Sequence, residues 1–138
     1  MRLRKDAKLE LLKGVPLFAR CTKKELAEIA TIADEIDLVE GKQLTKEGSR
    51  GREFFVLVEG SADVKRKRKK IGTMGPGDFL GEIALVTKTP RTATVTTTSP
   101  VRALVVSEQN FRRLLERSPE VQIKVLEALA ERVAATSL

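Results

Sequence analysis

Between Gly77 and Val95 the chain reads Gly-Asp-Phe-Leu-Gly-Glu-Ile-Ala-Leu-Val-Thr-Lys-Thr-Pro-Arg-Thr-Ala-Thr-Val, and the polar residues there are spaced to hold a small phosphate. Gly81 lets a ligand approach the main chain closely, and the free amides that open a short helix at Glu82 to Leu85 form an anion site. Arg91 supplies the matching fixed positive charge. Glu82 sits beside that site, where a carboxylate repels phosphate, so its better use is to accept a sugar hydroxyl. Phosphate together with sugar suggests a nucleotide. In isolation, Glu82 and Arg91 also fit an ordinary ion pair beside a turn. Bond-making chemistry is poorly provided, because histidine is absent and Cys21 is the single cysteine. The usual zinc sites and the Ser-His-Asp or Cys-His arrangements therefore cannot be assembled, and no enzymatic activity is expected.

The elements that must position these residues belong to a chain of 138 residues, one domain's worth. Hydrophobic residues make up 41% and charged residues 33%, and no apolar run approaches the roughly 20 residues that a membrane span needs. Met1 to Lys13 is charged throughout and lacks the apolar stretch of a secretory leader, and a lone cysteine closes no internal disulfide. A cytoplasmic location is expected. The net charge of +7 favours anionic partners, and much of it is concentrated in Lys65-Arg66-Lys67-Arg68-Lys69-Lys70. That run reads as the solvated tip of a hairpin. No aromatic residue interleaves it and Trp and Tyr are absent, so nucleic-acid binding by base stacking is disfavoured.

The pattern along the chain predicts helices over about 8–34, interrupted around Pro16, with Thr22-Lys23-Lys24-Glu25 as a capping box and a helix from about 23 to 34. From about 35 to 106 short β-branched runs alternate with glycine turns, as in a sandwich or barrel. A helix over about 107–117 follows, and Ser118-Pro119-Glu120 opens another over about 119–135. Its apolar positions Val121, Val125, Leu126, Leu129 and Val133 form a stripe that must cover something. Helices, strands and helices again make an α+β fold.

On these residues the chain resembles the cyclic nucleotide-binding domains, the family shared by the bacterial catabolite activator protein, kinase regulatory subunits and cyclic-nucleotide-gated channels. The family's phosphate-binding cassette, Phe-x-Gly-Glu-(Ile/Leu)-Ala-Leu followed by Pro-Arg-(Thr/Ser/Ala)-Ala, is met by Phe79, Gly81, Glu82, Ile83, Ala84, Leu85, Pro90, Arg91, Thr92 and Ala93. Val15-Pro16-Leu17-Phe18, Gly41, Gly48, the stretch Phe54 to Gly60 and Gly75-Pro76-Gly77-Asp78 also match. The resemblance implies a single domain over 1–138: an eight-stranded antiparallel β-roll, jelly-roll-like, with an N-terminal helical bundle, a short cassette helix over about 81–87 and two C-terminal helices.

By the same resemblance the ligand-binding residues are Gly81, Glu82, Ile83, Ala84, Arg91, Thr92 and Ala93. Arg91 would pair with the cyclic phosphate, Glu82 would accept the ribose 2′-hydroxyl, and the amides near Gly81, Ile83 and Ala84 would complete the cradle. Thr92 can bond phosphate or the amino group of guanine, and in this family a Thr there often accompanies cGMP binding, but adenine can be held by apolar contact alone, and cAMP is the expected ligand over cGMP. The expected function is a sensor in which ligand binding moves the C-terminal helices, with cyclic nucleotide as ligand and neither cofactor nor metal. The last helix fits three roles: lid, core element or homodimer contact. The alternative is a degenerate roll that binds protein or nucleic acid through its basic hairpin. The family's output segments (helix-turn-helix, second nucleotide domain, membrane pore) match no residues here, so a stand-alone module and a part of a larger receptor with an effector domain are both expected forms.

Overall fold

The alternating segments of the middle of the chain form two four-stranded antiparallel sheets in a computed structural model that describes residues 3–87 and 89–136, without the side chains of Ile83, Ala84, Arg132, Val133, Ala135 and Thr136. One sheet runs β1 (Asp34–Leu38), β8 (Val101–Ser107), β3 (Glu53–Glu59) and β6 (Phe79–Leu80) in spatial order. The other runs β2 (Gln43–Thr45), β7 (Thr94–Thr97), β4 (Ala62–Arg66) and β5 (Lys69–Met74). Side chains from both sheets share one apolar cluster: Leu57, Val101 and Ala103 from the first meet Ala62 and Val95 from the second. The sheets therefore face each other as the two walls of a roll. β3 carries four consecutive buried residues, Phe54 to Leu57, so both of its faces are covered.

The basic run forms the tip of the β4–β5 hairpin, with Arg66 opposite Lys69 and a two-residue turn at Lys67 and Arg68. The helix expected over about 81–87 is instead a single 3-10 turn, Glu82–Leu85. Gly81, at φ 84°, sets the backbone in the left-handed region just before it, and four residues allow only one turn.

Residues 33–108 form one compact unit, and the segments on either side of them form another. In the helical unit α1 (Lys5–Lys13), a 3-10 turn (Pro16–Phe18) and α2 (Lys23–Ala30) precede α3 (Glu108–Arg117) and α4 (Pro119–Thr136). The capping box forms: the Thr22 hydroxyl accepts from the Glu25 amide at 3.3 Å, and the Glu25 carboxylate accepts from the Thr22 amide at 2.8 Å. α2 closes at Ala30 and does not reach residue 34, because Thr31 turns its hydroxyl onto the Glu28 carbonyl at 2.6 Å and Asp34 is already paired with Val105 in the sheet. Phe18 and Phe111 meet in its core with their rings tilted 46° to each other and their centroids 5.8 Å apart.

The buried face of α4 is Val121, Val125 and Ala128, spaced four and three residues apart. Leu126 is 66% exposed and stands off the expected stripe, one residue and about 100° round the helix from Val125. Leu129 is half-buried, and the Val133 side chain lies outside the described residues.

Candidate functional site

Arg91 is positioned by a short antiparallel pairing with a loop some forty residues earlier in the chain. Its amide donates to the Ser49 carbonyl at 2.7 Å, its carbonyl accepts from the Gly48 amide at 2.9 Å, and Arg50 bridges to Pro90. Two side chains extend that seam: Thr45 Oγ1 donates to the Ala93 carbonyl at 3.0 Å, and Thr94 Oγ1 accepts from the Glu47 amide at 2.9 Å. Such main-chain bonds fix the Cα of Arg91 and leave its side chain to be aimed by its surroundings.

Those surroundings are glycines. A Cβ built on Gly51 overlaps Nε and Cζ of Arg91, and one built on Gly81 overlaps its Nη1. The guanidinium thus lies between two stretches of bare main chain, and its Nη2 donates to the Glu53 carbonyl. Desolvation in this slot draws the pKa of Arg91 downward, against the opposing pull of the Glu53 carboxylate. The group nevertheless keeps its charge. A half-buried cation that donates its hydrogen bond to a neutral carbonyl retains attraction for an anion.

The slot opens on a cavity of about 670 Å³ in the mouth of the roll, within the range of about 300–1,000 Å³ usual for small-molecule sites. Of the expected site residues, Gly81, Glu82, Arg91, Thr92 and Ala93 all line it. Ile83 and Ala84 belong to the adjoining 3-10 turn, and their side chains lie outside the described residues. Glu82 is only 6% exposed. Thr92 is exposed at the rim, and Ala93 is half-buried. The lining also carries apolar side chains, Val64, Ile71, Met74, Leu80 and Val95. A cation and hydrocarbon in one lining suit a ligand with an anionic head and a flat apolar body.

Three contributors escape a reading of the sequence. Gly51 looks like one more turn glycine, and the part played by the Glu53 carbonyl depends on no side chain at all. Arg66 belongs to a run of six cations that reads as solvated surface, yet it lines the cavity and its Nε donates to the Thr92 carbonyl at 3.0 Å. For Gly51 the one available signal is the pair Gly48 and Gly51 so close together, more glycine than a simple turn needs.

A family model for the cyclic nucleotide-binding domain matches residues 35–118, which include the whole of this site. The chain belongs to that family. It is 36% identical over 115 residues to the cAMP-dependent protein kinase regulatory subunit of Mycosarcoma maydis, a match over 77% of this chain and 22% of the relative. The chain thus spans about a fifth of that relative's length. Among solved structures, it is similar to the N-terminal domain of a transcriptional regulator from Streptomyces coelicolor, with a TM-score of 0.84 and 30% identity over 92% of this chain and 94% of that one. It is also similar to a cyclic nucleotide-binding-like protein from Brucella abortus, with a TM-score of 0.74 and 29% identity over 80% and 99% of the two chains. In this cyclic nucleotide-binding domain no helix among the described residues is long and apolar enough to cross a membrane.

Proposed function

We propose that this domain is a non-catalytic sensor that binds cAMP in preference to cGMP and passes occupancy of the cavity to its C-terminal helices. The observation that carries the reading is the guanidinium of Arg91, seated between Gly51 and Gly81 in the lining of the cavity. In the proposed complex Arg91 exchanges its neutral carbonyl partner for the singly charged cyclic phosphate, a charge-assisted contact about twice as strong as a neutral one. Amides of the 82–85 turn add donors, and the buried carboxylate of Glu82 accepts a ribose hydroxyl. Adenine rests on the wall formed by Ile71, Met74 and Leu80, where flat apolar contact is sufficient. The preference for cAMP draws support from the kinase regulatory subunit to which the chain is similar.

The non-catalytic part of the proposal rests on the chemistry of the lining, whose described carboxylates are Asp78 and Glu82 and which includes neither histidine nor cysteine. Coupling requires the ligand to bind one arrangement of the helices better than another. Ile123 and Leu126 of α4, 55% and 66% exposed, offer apolar surface that such a rearrangement can cover.

Titration calorimetry with cAMP and cGMP tests the reading. Saturable binding of cAMP, tighter than cGMP and reduced at least tenfold in Arg91→Ala and in Glu82→Ala, is the expected outcome. Failure of both nucleotides to bind at millimolar concentration refutes it. Binding to DNA, RNA or anionic vesicles that persists in Arg91→Ala supports the interaction-module alternative instead.

A further inference from the structure

The basic run Lys65–Lys70 has no part in gripping the ligand as described above, but the fold places one of its members, Arg66, in the cavity lining. Its six cations occupy the ends of β4 and β5 and the turn between them. The same hairpin lines the cavity through Val64, Arg66, Ile71 and Thr73. Arg66 is the inner member: it lines the cavity, and its Nε is tied to the carbonyl of Thr92, the residue that follows Arg91. All six side chains, Arg66 included, are exposed. Two carboxylates offset part of this charge. Asp63 pairs with Lys70 at 3.3 Å, and Glu47 accepts from the Lys67 amide at 2.8 Å.

The turn itself breaks a local rule. Lys67 and Arg68 sit at φ 52° and 67°, both in the left-handed region. Two such residues in a two-residue hairpin loop make a type I′ turn, which Asn-Gly fills with less strain. Here the chain holds two cations in a conformation that disfavours them, at the point of the hairpin farthest along its strands. Turn geometry alone does not account for that choice, whereas a positive charge at the mouth of an anion-binding cavity does.

We propose, on the basis of the cyclic nucleotide reading, that the β4–β5 hairpin is an electrostatic entry guide. It concentrates the anionic nucleotide at the mouth of the roll, and Arg66 passes the phosphate inward to Arg91. Such a device acts on the rate of association and leaves the bound complex largely as it was. It acts over a short range, because the Debye length is about 8 Å at physiological ionic strength. Only cations at the mouth can contribute, and Arg66 is among them.

Stopped-flow binding of a fluorescent cAMP analogue to the full 138-residue chain tests this, with two hairpin variants beside the wild type. Lys67→Asn with Arg68→Gly puts favourable residues in the turn, and so raises thermal stability while it removes two charges. Adding Lys65→Gln and Lys69→Gln removes four. At about 20 mM salt, where screening is weak, association slows about two- to threefold in the first variant and about five- to tenfold in the second. Dissociation stays within twofold of wild type, and the three proteins converge at about 0.5 M salt. A more stable hairpin with a slower on-rate separates charge from structure. Equal association rates at low salt, or a slowing that persists at high salt, overturn the proposal while the nucleotide reading stands. A wild-type chain that takes up no nucleotide overturns both.

Discussion

Gly51→Ala tests the slot around Arg91 with the least disturbance to the rest of the fold. Gly51 has an ordinary negative-region backbone, so alanine is conformationally permitted there, and the group its Cβ strikes is the far end of a flexible side chain. Arg91 can swing away. The folded protein then loses one hydrogen bond to the Glu53 carbonyl, about 1 kcal/mol, against a gain of about 0.4–1 kcal/mol from a less flexible unfolded chain. Stability should stay within about 1 kcal/mol of wild type, a shift of a few degrees in Tm. Affinity should fall much further. A hydrogen bond to a charged partner contributes about 1.5–3 kcal/mol, so a displaced Arg91 weakens nucleotide binding by about 10- to 150-fold.

Gly81→Ala supplies the contrast, because its cost falls on the fold as well. Its φ of 84° disfavours any L side chain, by about 1–2 kcal/mol, and its Cβ would lie 2.9 Å from the Glu53 carbonyl oxygen, main chain that cannot rotate aside. The expected loss of stability is about 2–4 kcal/mol together with the loss of binding. Urea denaturation and titration calorimetry on the two variants separate the effects. If Gly51→Ala binds nucleotide within twofold of wild type, the guanidinium in its glycine slot is not what holds the phosphate, and the reasoning fails.

Two further outcomes follow from charges away from the cavity. Burial, assisted by the nearby Glu25 carboxylate, pushes the Cys21 thiol up to about 11, so its reaction with a disulfide reagent should stay slow through pH 9 and rise with a midpoint near 11; a midpoint below 9 contradicts the burial. Glu108 accepts from Arg50 Nη2 with both carboxylate oxygens, at 3.0 and 2.9 Å, and with its side chain 11% exposed and that of Arg50 31%, Glu108→Ala should cost about 2–3 kcal/mol by denaturation, most of which is absent when Arg50→Ala is already in place; a cost below about 0.5 kcal/mol refutes the pairing.

What could be read in the sequence divides along a physical line. The residues that carry chemistry stand within one short stretch, where spacing alone relates Gly81 and Glu82 to Arg91, and all three do line one cavity. The partners that hold Arg91 in place are not legible in that way. Gly51 follows the loop residues 48–50 that pair with Pro90 and Arg91, Glu53 opens β3 two residues later, and Glu53 contributes a main-chain oxygen that any residue would supply. The apolar wall was hidden for a different reason. Ile71 and Met74 sit in β5, whose Lys-Lys-Ile-Gly-Thr-Met carries little β-type patterning, because its strand character is imposed by pairing with β4. On α4 the apolar positions predict a stripe of Val121, Val125, Leu126, Leu129 and Val133, while the buried residues among those described are Val121, Val125 and Ala128.

The same division applies to the basic run, which forms the exposed hairpin tip that its sequence predicts. Read along the chain, six successive cations have no relation to the cassette and suit a solvated tip. Folded, β4 lies between β5 and β7, and β7 is the strand that leads directly out of Arg91, Thr92 and Ala93. Lys65 stands opposite Thr94, and the side chain of the next residue, Arg66, reaches back to the Thr92 carbonyl. Arg66, twenty-five residues before Arg91 in sequence, is therefore in the strand next to the one that leads out of Arg91. Both the glycine slot and the entry hairpin are thus products of strand pairing, and a substitution that slips the β4–β7 register should disable gripping and steering together.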